Sequence, residues 1–197
     1  MQTEINHEQV EELWAKAKAG DADSEFRLGV SYTIGRGVAK DEVEAVKWYR
    51  KAAEQNVAEA QNSLGTMYGR GLGVGKDYTE AAKWFRKAAE QNYGAAQFNL
   101  GLSYEYGQGV AKDYTEAIKW YRKAAERNSA GAQYNLGIYY SNGQGVAKDV
   151  AQGLFSPACL DTGVRSPSPA FPGSNHPRSA KVTTFLAIRP RMSLGRS

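Results

Sequence analysis

Gly109-Val110-Ala111-Lys112-Asp113 decides the fold, because the same five residues begin again at Gly37 and Gly145, and Gly73 opens the variant Gly-Val-Gly-Lys-Asp, always 36 residues apart. A fixed period between about 20 and 50 residues marks a stack of supersecondary units, since one unit cannot bury its apolar face without a neighbour. On the N-terminal side of the string, Ala96, Leu100 and Tyr104 stand at i, i+4 and i+8, an apolar stripe along one helical face. Ala60, Leu64 and Tyr68 repeat that stripe, as do Ala132, Leu136 and Tyr140, with Ser24, Leu28 and Tyr32 in the first copy. This is helix A of the unit. A glycine follows each leucine (Gly29, Gly65, Gly101, Gly137). Glycine inside a helix costs about 1 kcal/mol relative to alanine, so its recurrence predicts a close helix approach.

The string itself is a turn. Gly107-Gln108-Gly109-Val110 supplies glycines able to take the positive φ that ends a helix and reverses the chain. Asp113 with Glu116, like Asp41 with Glu44 and Asp77 with Glu80, has capping-box spacing. The aspartate is expected to accept from first-turn N–H groups and the glutamate to reach back to the cap's own N–H. Helix B follows, with Ala81, Trp84, Phe85 and Ala88 facing inward and Lys83, Arg86, Lys87 and Glu90 outward. The chain is therefore predicted to be all-α, a solenoid of antiparallel helix hairpins with about 3.5–4 repeats of 36 residues and a non-repeat tail.

Ala96-Gln97-Phe98-Asn99-Leu100-Gly101, then Gly107-Gln108-Gly109-Val110, then Ala117-Ile118-Lys119-Trp120-Tyr121 resembles the Sel1-like repeat, a relative of the tetratricopeptide repeat. The likeness extends over residues 8 to 149. It implies a right-handed superhelix whose A helices line a concave groove that binds proteins, without chemistry. Val10, Leu13, Trp14 and Ala17 have helix-B spacing, so residues 1–22 are expected to be a half repeat that caps the stack. The array is divided into 23–58, 59–94, 95–130 and a partial unit 131–149. Cysteine-rich members of the family are linked with penicillin binding or hydrolysis through disulfide-joined hairpins, and this array has no cysteine to resemble them.

After Lys148-Asp149 the pattern stops: Ser156 and Pro157 occupy the places of Trp and its aromatic neighbour. Residues 150–197 hold all six prolines and the one cysteine, Cys159, whereas all tryptophans and tyrosines precede residue 150. The composition predicts a disordered tail, arising as a natural extension or from a shifted frame or fused segment. Helix A of the fourth unit then lacks its partner, and Leu136 and Tyr140 are expected to be partly exposed and to allow weak self-association.

Charge divides at the same place. Residues 1–149 carry 19 basic against 20 acidic residues, while residues 150–197 carry six basic residues and Asp161 alone. The net +4 thus belongs to the tail, and nucleic acid is not expected as a partner of the array. An Arg-rich tail tethered to nucleic acid or anionic lipid is the alternative of another class, and a degraded array without a present partner is a second. A single cysteine excludes intramolecular disulfides and suits a reducing compartment. No secretory leader or span of about 20 apolar residues is visible, so a cytoplasmic location without a membrane span is expected.

The candidate chemistry is sparse. His7 and His176 are the only histidines, and they fall at the two ends of the sequence, so no catalytic triad is expected. No metal or cofactor is expected either, because one cysteine and two distant histidines cannot make a ligand set. Gly71-Leu72-Gly73-Val74-Gly75-Lys76 lacks P-loop spacing and recurs as a turn in every copy.

What differs between copies is a second stripe on helix A, at i, i+4, i+7 and i+11. It comprises Asp23, Arg27, Val30 and Ile34; Glu59, Ser63, Thr66 and Arg70; Ala95, Asn99, Leu102 and Tyr106; and Gly131, Asn135, Ile138 and Asn142. By the resemblance this stripe faces the groove. Its mixture of amides, apolar groups and arginine suits an extended peptide or partner protein, with asparagines fixing the peptide backbone. The plainer alternative is a solvated face or part of the packing between repeats.

Overall fold

The computed structural model describes residues 7–146. The chain divides into two units, Met1–Arg165 and Ser166–Ser197, and every described residue belongs to the first. The tail expected at 150–197, with Cys159 and the place of the missing fourth helix B, lies outside the described residues.

Eight α-helices, and no strand, occupy the described residues: α1 (His7–Lys18), α2 (Ala22–Ile34), α3 (Glu42–Glu54), α4 (Ala58–Arg70), α5 (Tyr78–Glu90), α6 (Gly94–Tyr106), α7 (Tyr114–Glu126) and α8 (Ala130–Asn142). Each packs chiefly on its sequence neighbours, most extensively within the hairpins α2–α3, α4–α5 and α6–α7. The predicted solenoid of hairpins is the observed architecture. The core is its repeated column: Leu28, Leu64 and Leu100 are fully buried, with Ala60, Ala96 and Ala132 beside them.

The helix-A glycine has the role its cost suggested. A Cβ on Gly65 would lie 2.8 Å from the Phe85 ring, and one on Gly29 or Gly101 would lie 2.6 Å from Tyr49 or Tyr121. The aromatic of helix B thus lies flat on the backbone of helix A. Loss of the glycine would force the two helices apart.

Each A-to-B connection begins with a left-handed glycine, such as Gly71 at φ 71°, whose N–H donates to the Met67 carbonyl. Each B helix then starts on an aspartate: Asp77 accepts from the N–H groups of Thr79 and Glu80 at 2.8 and 3.0 Å. The reciprocal half of the capping box does not form. Glu44, Glu80 and Glu116 instead pair with Lys47, Lys83 and Lys119 one turn on. The cap's own N–H is already taken, because Asp41, Asp77 and Asp113 donate to the carbonyls of Tyr32, Tyr68 and Tyr104 in the preceding helix A. The B-to-A turns, only three residues long, carry Asn56, Asn92 and Asn128 at positive φ. Asparagine tolerates that region better than other side chains with a Cβ.

Arg86, expected to face solvent, is exposed and, like Arg50 and Arg122, reaches across the repeat boundary to a tyrosine hydroxyl, that of Tyr104, Tyr68 and Tyr140 respectively. At the N-terminal end α1 covers the first hairpin: Val10 and Ala17 are buried, and Trp14 meets Trp48 edge to face at 5.3 Å. At the other end Leu136 is 9% exposed and Tyr140 half-buried. Leu136 is therefore buried, contrary to the expectation of partial exposure, although it is the most exposed of the four leucines in its column.

Candidate functional site

The stripe at i, i+4, i+7 and i+11 of each helix A lies to one side of the buried Ala–Leu–Tyr face. Arg27, Ile34, Arg70, Tyr106, Ile138 and Asn142 are exposed, and Val30, Ser63, Thr66, Asn99 and Asn135 are half-buried. Asp23, Glu59, Ala95 and Gly131 at the start of each helix are exposed as well. Leu102 is buried, 7% exposed, so it supports the stripe from below.

Neighbouring A helices touch directly along this side. Asn99 Nδ2 donates to Asn62 Oδ1 of the preceding repeat at 2.9 Å, and a Cβ on Gly131 would meet the Phe98 ring at 2.9 Å. The stripe residues of successive repeats are thereby brought side by side. Arg27 is held by Asp23 at 2.8 Å, a solvated pair that adds little stability. The Arg70 side chain has no ion pair or hydrogen bond among the described residues.

The third and fourth repeats add a tyrosine cluster at the stripe's edge. Tyr121 is fully buried, and its hydroxyl donates to the Glu105 carboxylate. Tyr139 and Tyr106 lie close enough to Glu105 to feel its charge. Burial first, and the Glu105 charge second, push the Tyr121 and Tyr139 hydroxyls well above the ordinary tyrosine range and raise that of Tyr106. They are neutral donors under any physiological condition. Tyr121 ties α7 to α6 through Glu105, and its ring packs on that of Tyr139 of α8 with centroids 6.2 Å apart.

Glu105 escaped the sequence reading, though a signal for it existed. The residue 16 positions before the helix-B aromatic changes with that aromatic: Thr33 hydrogen-bonds to Tyr49 at 3.0 Å, Glu105 accepts from Tyr121, and Gly69 precedes Phe85, which has no hydroxyl to satisfy. A second missed column is polar and buried. Gln61 donates to the Ala53 carbonyl and accepts from Gln91, and Gln97 donates to the Ala89 carbonyl. Tyr134, 41% exposed on α8, also lies outside the predicted stripe. No group of three or more histidine, cysteine or acidic side chains is placed to hold a metal among the described residues. An open groove lined by Val10, Trp14, Lys18 and Val38 includes no stripe residue. No helix among the described residues is long and apolar enough to cross a membrane.

Stacked two-helix units with a framework of alanine, leucine and glycine define an α-hairpin repeat protein. A family model described as Sel1 repeat matches residues 22–57, 58–93, 94–129 and 130–155, and the chain belongs to this family. Sel1-repeat proteins are generally non-enzymatic interaction scaffolds. Among solved structures, the chain is similar to c5321, a protective antigen of uropathogenic Escherichia coli displaying an SLR fold, with 43% identity over 69% of this chain and a TM-score of 0.68. It is also similar to a Sel1 repeat protein from Oxalobacter formigenes, at 39% identity over 76% of the chain with a TM-score of 0.73. The chain spans 29% and 62% of the lengths of these two. Helicobacter pylori cysteine rich protein B shares the fold at 24% identity, over 62% of this chain and 93% of its own, with a TM-score of 0.51. A search of curated proteins gave no significant match.

Proposed function

We propose that this chain is a non-enzymatic scaffold that binds an extended segment of a partner protein along the helix-A stripe. One observation carries the reading. Of the five large apolar side chains exposed among the described residues (Ile34, Val43, Tyr106, Tyr134 and Ile138), three belong to the predicted stripe. Helix-B surfaces, in contrast, present Lys–Glu pairs and lysines folded over tryptophan rings, as with Lys87 at 4.3 Å from the Trp84 centroid. Apolar groups left in water on one side of a repeat array favour a partner there. Asn99 and Asn135 supply amides for a peptide backbone, and the array's lack of cysteine accords with a cytoplasmic setting.

The test is affinity capture from cells that express the chain, comparing it with an Arg70→Ala, Asn99→Ala, Tyr106→Ala triple variant. A partner lost by the variant while helicity is unchanged supports the stripe. Equal capture by both proteins rules this face out.

A further inference from the structure

We propose that the loop end of the helix-A stripe reads an extended peptide in one register: an acidic residue at the centre, with an apolar residue three positions away on each side. This rests on the reading of the stripe as the binding face and adds the chemistry of its occupant.

The residues concerned are the last ones of successive A helices: Ile34 ends α2, Arg70 ends α4 and Tyr106 ends α6. Ile34 is 55% exposed and Tyr106 44%, and Arg70 stands exposed between them in the repeat order. A cation at a helix C-terminus is favoured by the helix dipole, but the repeat does not require one, since the equivalent residues are Ile34, Tyr106 and Asn142. No acidic residue among the described residues forms an ion pair with Arg70. Glu59, the acidic stripe residue on the same helix, is eleven residues earlier, about 16 Å along the axis. Glu105, next to Tyr106, is engaged by Tyr121. Two exposed apolar groups therefore flank one unpaired guanidinium.

The spacing follows from the contacts between A helices. Asn62 and Asn99 hydrogen-bond directly between α4 and α6, and helices in side-chain contact have axes about 10 Å apart. A peptide in the polyproline II conformation advances about 3.1 Å per residue with about three residues per turn, so it crosses one repeat in about three residues and turns every third side chain to the same face. An apolar residue over Ile34 then places the third residue onward at Arg70 and the sixth at Tyr106. The pattern is the same in either chain direction, so peptide polarity does not alter it. Arginine binds carboxylate through a planar two-pronged contact, which suits aspartate or glutamate at the middle position.

The experiment uses the full chain and fluorescein-labelled peptides in a Ser/Gly background, with Leu at positions 1 and 7 and Glu, Ser or Lys at position 4, read by fluorescence anisotropy. The Glu peptide is expected to bind at least about tenfold more tightly than the Lys peptide. Arg70→Ala should remove that preference, and Arg70→Glu should reverse it. Moving the Glu to position 3 or 5 should cost several-fold in affinity.

Equal affinity for the Glu and Lys peptides, indifference to Arg70, or no binding by any peptide would overturn the proposal. So would a concentration-dependent dimer dissolved by Arg70→Glu, since the face would then belong to a second copy. Peptides that bind through Tyr106 and Asn99 with no preference at position 4 would defeat this inference and leave the broader reading intact.

Discussion

Glu105 and Tyr121 offer the sharpest test of how the array fits its variable residues to its framework. Tyr121 is fully buried against Gly101, and its hydroxyl proton rests on Glu105. Replacing Glu105 with alanine leaves that proton without its acceptor, a loss of about 1–3 kcal/mol for a buried donor. Tyr121→Phe removes donor and requirement together and should cost about 1 kcal/mol. The double variant approximates the second repeat, where Gly69 stands with Phe85, and a Cβ at Gly69 would make only an ordinary contact at 3.6 Å. It should therefore be about as stable as Tyr121→Phe alone, a coupling equal to the Glu105→Ala cost, about 1–3 kcal/mol. Urea midpoints for the four proteins, read by circular dichroism at a common slope, measure this. Thr33→Ala with Tyr49→Phe, an uncharged pair at 3.0 Å, should couple by less. Single-variant effects that add within about 0.5 kcal/mol would refute the reasoning, because the two residues would then act independently.

Other expectations follow from the same contacts. Gly65→Ala drives a methyl group into the Phe85 ring and should cost about 1–3 kcal/mol, whereas Gly75→Ala, with nothing within 4 Å and an ordinary φ, should be neutral or slightly stabilising by urea denaturation. Gln97 Oε1 is buried without a partner, because Arg127 stands where Gln91 serves Gln61 in the repeat before. Arg127→Gln should restore the bond and raise the melting temperature by about 2–4 °C, for a gain of about 1 kcal/mol. Burial raises the Tyr49, Tyr121 and Tyr139 hydroxyls above the ordinary value of 10, so the unfolded chain releases these protons first as pH rises. Their contribution is complete below about pH 10 and is lost as pH climbs further, and a melting series from pH 8 to 11 should show a steeper alkaline fall for the native chain than for Tyr121→Phe.

The hairpin architecture was legible because it rests on local, repeated signals. A leucine every 36 residues, a glycine after it and an aspartate opening each B helix all act within one unit, and the solenoid reproduces each unit in turn. The capping-box glutamates misled because spacing alone does not show that the cap's N–H is occupied by the preceding helix. The Arg86–Tyr104 and Arg122–Tyr140 bonds were hidden for a related reason: they cross from one repeat to the next. In the stripe, exposure of Ile34, Tyr106 and Ile138 followed from helical phase, but burial of Leu102 did not. Its depth depends on the neighbouring helices, which a single helical wheel does not contain. The Glu105 cluster required comparing two columns at once, the aromatic and its acceptor 16 residues earlier.

Site-specific photocrosslinking in cells that express the chain tests the binding face most directly, with the photoreactive residue placed at Tyr106 on the stripe or at Lys83 on the exposed side of helix α5. The account predicts a covalent partner adduct from position 106 and none from position 83. An adduct from position 83 alone would contradict it.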